Sequence, residues 1–233
     1  AWCQWVKDRV SLPVQLVPGN HEAQDGDGEW AKYAACLPDQ WGVTDGTYAS
    51  GQWVSDRGPA TIISITPGLT LDGQTRTYER GTPEREWLKD RIDAAKARGD
   101  WVIVDMHMPC LTLGAHGCAS AKSLTDMLIG KKVDVILAGH DHIYARTHQV
   151  QYDDARGVTV ADSDGSYAAG AGSVQVIVGN GGHNARALVS PVAGVWAAGA
   201  PGSTTGWLRL DVTEDSIRAR HVTVAGSLTD EWA

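Results

Sequence analysis

The chemistry in this chain concentrates where apolar runs stop. VQLVPGN (Val14–Asn20) runs into His21, WVIVDM (Trp101–Met106) into His107, and VDVILAG (Val133–Gly139) into His140-Asp141-His142. Those three tips hold Asn20 and four of the chain's eight histidines. Neutral imidazole and an amide oxygen are ligands for first-row metals. In an open α/β sheet, ligands bind just beyond the carboxyl ends of the strands. One histidine at a strand end is usually only a satisfied polar group; three tips that end alike point to one shared site. In His140-x-His142, the alternation of an extended segment puts both rings on the same side, to serve one metal or two neighbouring ones. Gly19 and Gly139 are expected to let the backbone turn sharply there.

The elements that must hold these tips can be read around them. Residues 1–9 read as the tail of a helix and Val14–Val17 as a short buried strand. Residues 23–50 lack a steady period and read as a long loop region. Thr47–Asp56 and Pro59–Thr66 read as two strands about a turn. Thr82-Pro83-Glu84 is a helix start: Thr can cap, Pro suits the first position and Glu the positive end of the dipole. Trp87, Leu88, Ile92 and Ala95 then recur at helical spacing up to Gly99. The strand from Trp101, a helix around Ala121–Ile129 and the strand Val133–Ala138 follow. That alternation predicts an α/β fold with a largely buried sheet. From residue 157 the pattern turns to β, with strands at Val174–Val178, Trp207–Val212 and Ile217–Val224. The last two form a hairpin across Thr213–Ser216. This second part reads as another sheet of the same core.

The 233 residues are 42% hydrophobic with net charge −8, enough apolar material for one large core. No basic stretch offers itself to a nucleic-acid backbone, so nucleic acid is not expected as the main partner. No apolar run approaches the roughly 20 residues of a membrane-spanning helix. Cys3, Cys36, Cys110 and Cys118 include no CxxC pair, which argues against a structural zinc site. Four cysteines allow three disulfide connectivities. Cys110 and Cys118 flank a Gly-containing loop they can close, which would leave Cys3 with Cys36; four free thiols in a cytosolic protein is the other reading. The disulfide reading implies a secreted or cell-surface protein. The opening AWCQWVKDRV has no Met and reads as mid-helix, so a preceding segment is expected.

GNHE (Gly19–Glu22), then His107-x-Pro109, then GHDH (Gly139–His142) occur in an order that resembles the calcineurin-like metallophosphoesterase superfamily. GHDHIYAR (Gly139–Arg146) is similar to the GHxHxYxR string of its purple-acid-phosphatase-like branch, and VIVGNGGHN (Val176–Asn184) resembles the Gly-rich strand end that comes later in that branch. The resemblance covers roughly residues 10–185. It implies a four-layer α/β/β/α sandwich, here one domain over residues 1–233 that lacks its first strands, with 157–233 mainly β. It implies two divalent or trivalent metal ions (Fe, Zn or Mn), with Asn20, His107 and His140 on one and His142 on the other. His21 would face the phosphate of a small phosphorylated substrate, stabilising it or protonating the leaving oxygen. Two earlier motifs of the family, an Asp-x-His and a Gly-Asp-x-x-Asp or -Tyr, have no match here. The resemblance therefore implies an upstream segment that completes the site, and weak activity without it. The alternatives are a non-catalytic or processed binding module, and a mononuclear zinc hydrolase using Asn20, His107 and His140.

Overall fold

The computed structural model describes residues 2–24, 29–36 and 42–233. In chain order the elements are α1 (Trp2–Arg9), α2 (Asn20–Gln24), α3 (Glu29–Cys36), β1 (Val43–Thr47), β2 (Gln52–Arg57), β3 (Ala60–Ile65), β4 (Thr70–Leu71), β5 (Gln74–Thr75), α4 (Pro83–Arg98) and β6 (Trp101–Asp105). There follow α5 (Lys122–Gly130), β7 (Val135–Ala138), β8 (Ile143–Thr147), β9 (Gln149–Asp153), β10 (Gly157–Asp162), β11 (Val174–Val178), β12 (Trp196–Pro201), β13 (Gly206–Val212), β14 (Ile217–Thr223) and β15 (Leu228–Trp232). Eight strands form one mixed sheet in the order β1-β2-β3-β6-β7-β11-β8-β12. Its centre is parallel: β3 beside β6, β6 beside β7, and β7 beside β11. The carboxyl ends of β6, β7 and β11 therefore emerge side by side.

Both faces of this sheet are covered, which is why its central strands read as unbroken apolar runs. On β6, Val102 and Val104 point to one core while Ile103 points to the other. On β7, Ile136 and Ala138 face the first core, and Val135 and Leu137 the second. The first core is closed by α4 and α5. Thr82 caps α4 by accepting from the Arg85 amide at 3.4 Å, Pro83 occupies the first turn, and Gly99 ends the helix at φ 83°. Leu88, Ile92 and Ala95 form its buried stripe. The second core is closed by a small antiparallel sheet, β13-β14-β15, through Leu208, Leu210, Ile217, Ala219 and Trp232. Helices, large sheet and small sheet thus stack in the α/β/β sense of the expected sandwich.

The small sheet is fastened by a buried ion pair. Arg146 on β8 donates to Asp230 on β15 through Nε at 2.6 Å and Nη2 at 2.9 Å, and Tyr144 Oη donates to the same carboxylate at 2.6 Å. The side chains of Arg146 and Asp230 are only 7% and 9% exposed, so each needs the other's charge. Burial pushes the Asp230 carboxyl up, but the bonds from Arg146 and Tyr144 prevail and hold it below the ordinary range. His221 stacks on Tyr144 with ring centroids 3.9 Å apart.

Several boundaries differ from the sequence reading. Val14–Val17 is extended but joins no strand ladder. Both edges of β3 are taken, by β2 and β6, so this segment runs across the sheet, where Gln15 donates to Ser64 Oγ at 2.5 Å. The expected strand Thr47–Asp56 breaks because Ser50 and Thr47 bond side chain to backbone in a turn, leaving β1 and β2 on either side. The expected loop 23–50 contains α3 and β1, and its residues 25–28 and 37–41 lie outside the described residues. β7 starts at Val135 because the Asp134 carboxylate accepts from the Val102 amide at 2.9 Å.

Candidate functional site

The tips of β6 and β7 and the turn that starts α2 bring three donor atoms together. His107 Nε2 lies 3.0 Å from Asn20 Oδ1 and 3.2 Å from His140 Nδ1. Ligands about 2.1 Å from one metal at tetrahedral to right angles stand about 3.0–3.4 Å apart. His107 Nε2 thus stands at that spacing from each of the other two atoms. Among the described residues, no three His, Cys, Asp or Glu side chains alone form such a group, so the set is complete only with the Asn20 amide. Burial, then the charges of neighbouring histidines, lower the pKa of His107 to about 4. His140 is lowered as well, first by burial and then by His116. Both rings are thus neutral at pH 7, the form that binds a metal.

The glycines act differently from expectation. Neither Gly19 nor Gly139 has a positive φ; the left-handed residue at the β7 tip is His140 itself, at φ 63°. Gly19 is needed for close approach: a Cβ there would stand 2.9 Å from Cε1 of His107.

His140 and His142 both meet the His116 ring, at 4.2 and 6.5 Å between centroids, while Asp141 between them is fully buried. His142 Nδ1 meets the Asn184 carbonyl at 2.9 Å. A carbonyl only accepts, so Nδ1 carries the proton and Nε2 presents its lone pair. His142 stands apart from the trio. His21, exposed on α2, lies close enough for its charge to lower the pKa of His107.

Two further histidines join the cluster. His116 packs on His140 with ring centroids 4.2 Å apart and on His142 at 6.5 Å, and His183 meets His142 at 5.0 Å. The loop carrying His116 is closed by the Cys110–Cys118 disulfide and tied to Asp141, which accepts from Thr112 Oγ1 at 2.6 Å and the His116 amide at 3.0 Å. The side chains of Cys3 and Cys36 lie outside the described part of the structure. His116 does not follow a β-strand, so its only signal in the sequence is the pair of flanking cysteines. His183 follows the β11 tip, in the Gly-rich string Val176–Asn184.

Residues 1–144 match the calcineurin-like phosphoesterase family. The chain belongs to that family. Tartrate-resistant acid phosphatase type 5 of Sus scrofa is 25% identical over 145 residues, 57% of this chain and 42% of that protein. Fe(3+)-Zn(2+) purple acid phosphatase 12 of Arabidopsis thaliana is 28% identical over 116 residues, 46% of this chain and 24% of that protein. Purple acid phosphatase PPD1 from yellow lupin seeds superposes with a TM-score of 0.68 over 92% of this chain and 39% of its own, at 17% identity, and so shares the fold. This calcineurin-like chain spans less than half the length of each of these relatives.

Proposed function

We propose that this chain carries the larger part of a metal-dependent phosphoesterase site that hydrolyses phosphate monoesters. The carrying observation is that His107 Nε2 stands 3.0 Å from Asn20 Oδ1 and 3.2 Å from His140 Nδ1. Those three would hold one metal ion and His142, through Nε2, a second; iron, zinc and manganese all suit such donors. When bound, the ions supply Lewis acidity toward the phosphoryl group and lower the proton affinity of water. The chain's own contribution is to hold the imidazoles in register and to keep the Asp141 carboxylate engaged by Thr112 and His116. His21 stands at the rim and protonates the departing oxygen. The acid-phosphatase names of the relatives support this reading, and the fold is the one that carries it.

The donors that would complete the second position, including a bridging carboxylate, are proposed to come from a segment upstream of these residues. The 233 residues then form a single domain, with 157–233 as its mainly β part. The Cys110–Cys118 disulfide supports an extracellular site of action. A mononuclear hydrolase is the second reading, favoured by the fact that only one donor trio is assembled among the described residues. Elemental analysis separates the two: about two metals per chain for the first in a form that includes upstream sequence, about one for the second. His107→Ala should abolish turnover of an aryl phosphate, and unchanged turnover would remove the reading. Equal activity with and without upstream sequence would remove the upstream donors.

A further inference from the structure

We propose that a cavity at the amino ends of the parallel strands binds a small organic cation that carries a hydroxyl, of the choline or ethanolamine type. Trp101 begins β6, Asp134 precedes β7 and Val174 begins β11, and all three line this cavity. The histidine cluster follows the carboxyl ends of the same strands, so the two sites lie at opposite ends of the sheet. The cavity has an inner chamber of about 100 Å³ and an outer one of about 430 Å³. Trp101, Asp134, Ala169 and Asp215 form walls of both.

Two buried polar groups of the inner chamber find no partner in the fold. Trp232 and Gln149 line it and are each 5% exposed. An indole can only donate, and Trp232 Nε1 has no acceptor among the described residues. Gln149 Nε2 donates to Ala168 O at 2.9 Å, which fixes the orientation of the amide. Its Oε1 is therefore an acceptor, and it too has no partner among the described residues. Buried groups of this kind are costly to leave unpaired, so the chamber favours an occupant that both accepts and donates. A hydroxyl is the smallest organic group that does both.

The remaining walls select a positive charge. Trp101 and Tyr167 add aromatic surface. Trp101 is held by its Nε1, which donates to Thr213 O at 2.9 Å, and Tyr167 by Arg146, which donates to its Oη at 2.8 Å. Among the described residues, no basic side chain lines the inner chamber. Arg146 lies 5.9 Å from the Trp232 ring centroid, but its charge is matched by Asp230. In the outer chamber Asp100 pairs with Arg98 at 2.7 Å, and Asp134, Glu214 and Asp215 stand against Lys96 alone. Aromatic faces beside a net negative mouth attract an organic ammonium group. An apolar cavity of about 150 Å³ can hold benzene. A chamber of about 100 Å³ that opens into a larger one therefore suits a molecule of about seven heavy atoms, with its hydroxyl inside and its nitrogen at the mouth.

The test titrates the protein with choline, followed by calorimetry and by the indole N–H resonances in proton–nitrogen correlation NMR. Tetramethylammonium, which lacks the hydroxyl, and neohexanol, in which carbon replaces the charged nitrogen, are the controls. Choline should shift the Trp232 resonance, assigned by its loss in Trp232→Phe, and should bind about tenfold more tightly than either control. Trp232→Phe should weaken choline binding about threefold to tenfold, the scale of one hydrogen bond. Ala169→Trp, at an exposed position where the two chambers meet, should abolish binding without lowering the unfolding midpoint. Choline that shifts neither the Trp232 nor the Trp101 resonance overturns the site and leaves water as the partner of both buried groups. Choline that binds no more tightly than neohexanol overturns the cationic assignment, and no more tightly than tetramethylammonium overturns the hydroxyl. Affinity that Ala169→Trp leaves unchanged places choline elsewhere and also overturns the site.

Discussion

Asp105→Asn tests how strongly the protein strains a carboxylate beside its site. Asp105 ends β6, two residues before His107, and lines a cavity of about 420 Å³ between the two sheets with Ile62, Ile103, Leu137, Leu208 and Leu210. Its Oδ1 has no hydrogen-bond partner among the described residues. Burial raises its pKa from 3.8 to about 6, against the opposing bond from Ser64. Between these values the folded state binds the proton and the unfolded state does not. Stability contributed by this group is therefore full below pH 3.8 and falls as pH rises to about 6. The shift of about two pKa units, at about 1.4 kcal/mol each, corresponds to about 3 kcal/mol. Asparagine keeps the shape and cannot ionise. The variant should be more stable than wild type by up to about 3 kcal/mol at pH 8 and nearly equal to it at pH 4. Urea unfolding at both pH values, with m-values compared, measures this. Other groups titrate alike in the two proteins and cancel in the difference. A stability difference that is the same at both pH values, or a less stable variant at pH 8, would refute the reasoning.

Asp230→Ala should cost about 3–5 kcal/mol by stranding Arg146 inside the protein, read from chemical denaturation at pH 7. Because the Asp230 pKa is depressed, wild type loses this advantage as pH falls through that lowered value, so the two proteins converge in acid. Replacing Cys110 and Cys118 by Ser opens a loop with a sequence separation of 8 and should lower stability by about 2–3 kcal/mol; no change in the unfolding midpoint would show that the Asp141 bonds alone hold the loop. Gly202→Ala should displace His142, because its Cβ would overlap His142 O, and the imidazole NMR resonances of His142 should shift while those of His221 stay. Unmoved His142 resonances would show that the 184–186 segment does not position it.

Sequence alone determined the parts that depend on local repetition. Strands buried on both faces must be apolar throughout, so WVIVD and VILA were legible as central strands, and Thr82-Pro83 and Gly99 marked a helix without any tertiary information. Histidines directly after such strands inherit their placement, which made His107, His140 and His142 readable. Tertiary structure decided what depends on residues distant in the chain. Val14–Val17 has the composition of a strand, yet it lies beside Ser55 and Ser64 of β2 and β3, whose edges are already paired. The Asp141 carboxylate, lying between two histidines, is claimed by Thr112 and His116 from a separate loop. His116 and His183 join the histidine cluster only because a disulfide-closed loop and the segment after β11 fold over the same strand tips. A strand fixes its own direction within a few residues. Which side chains meet beyond its end is set by connections that close over many.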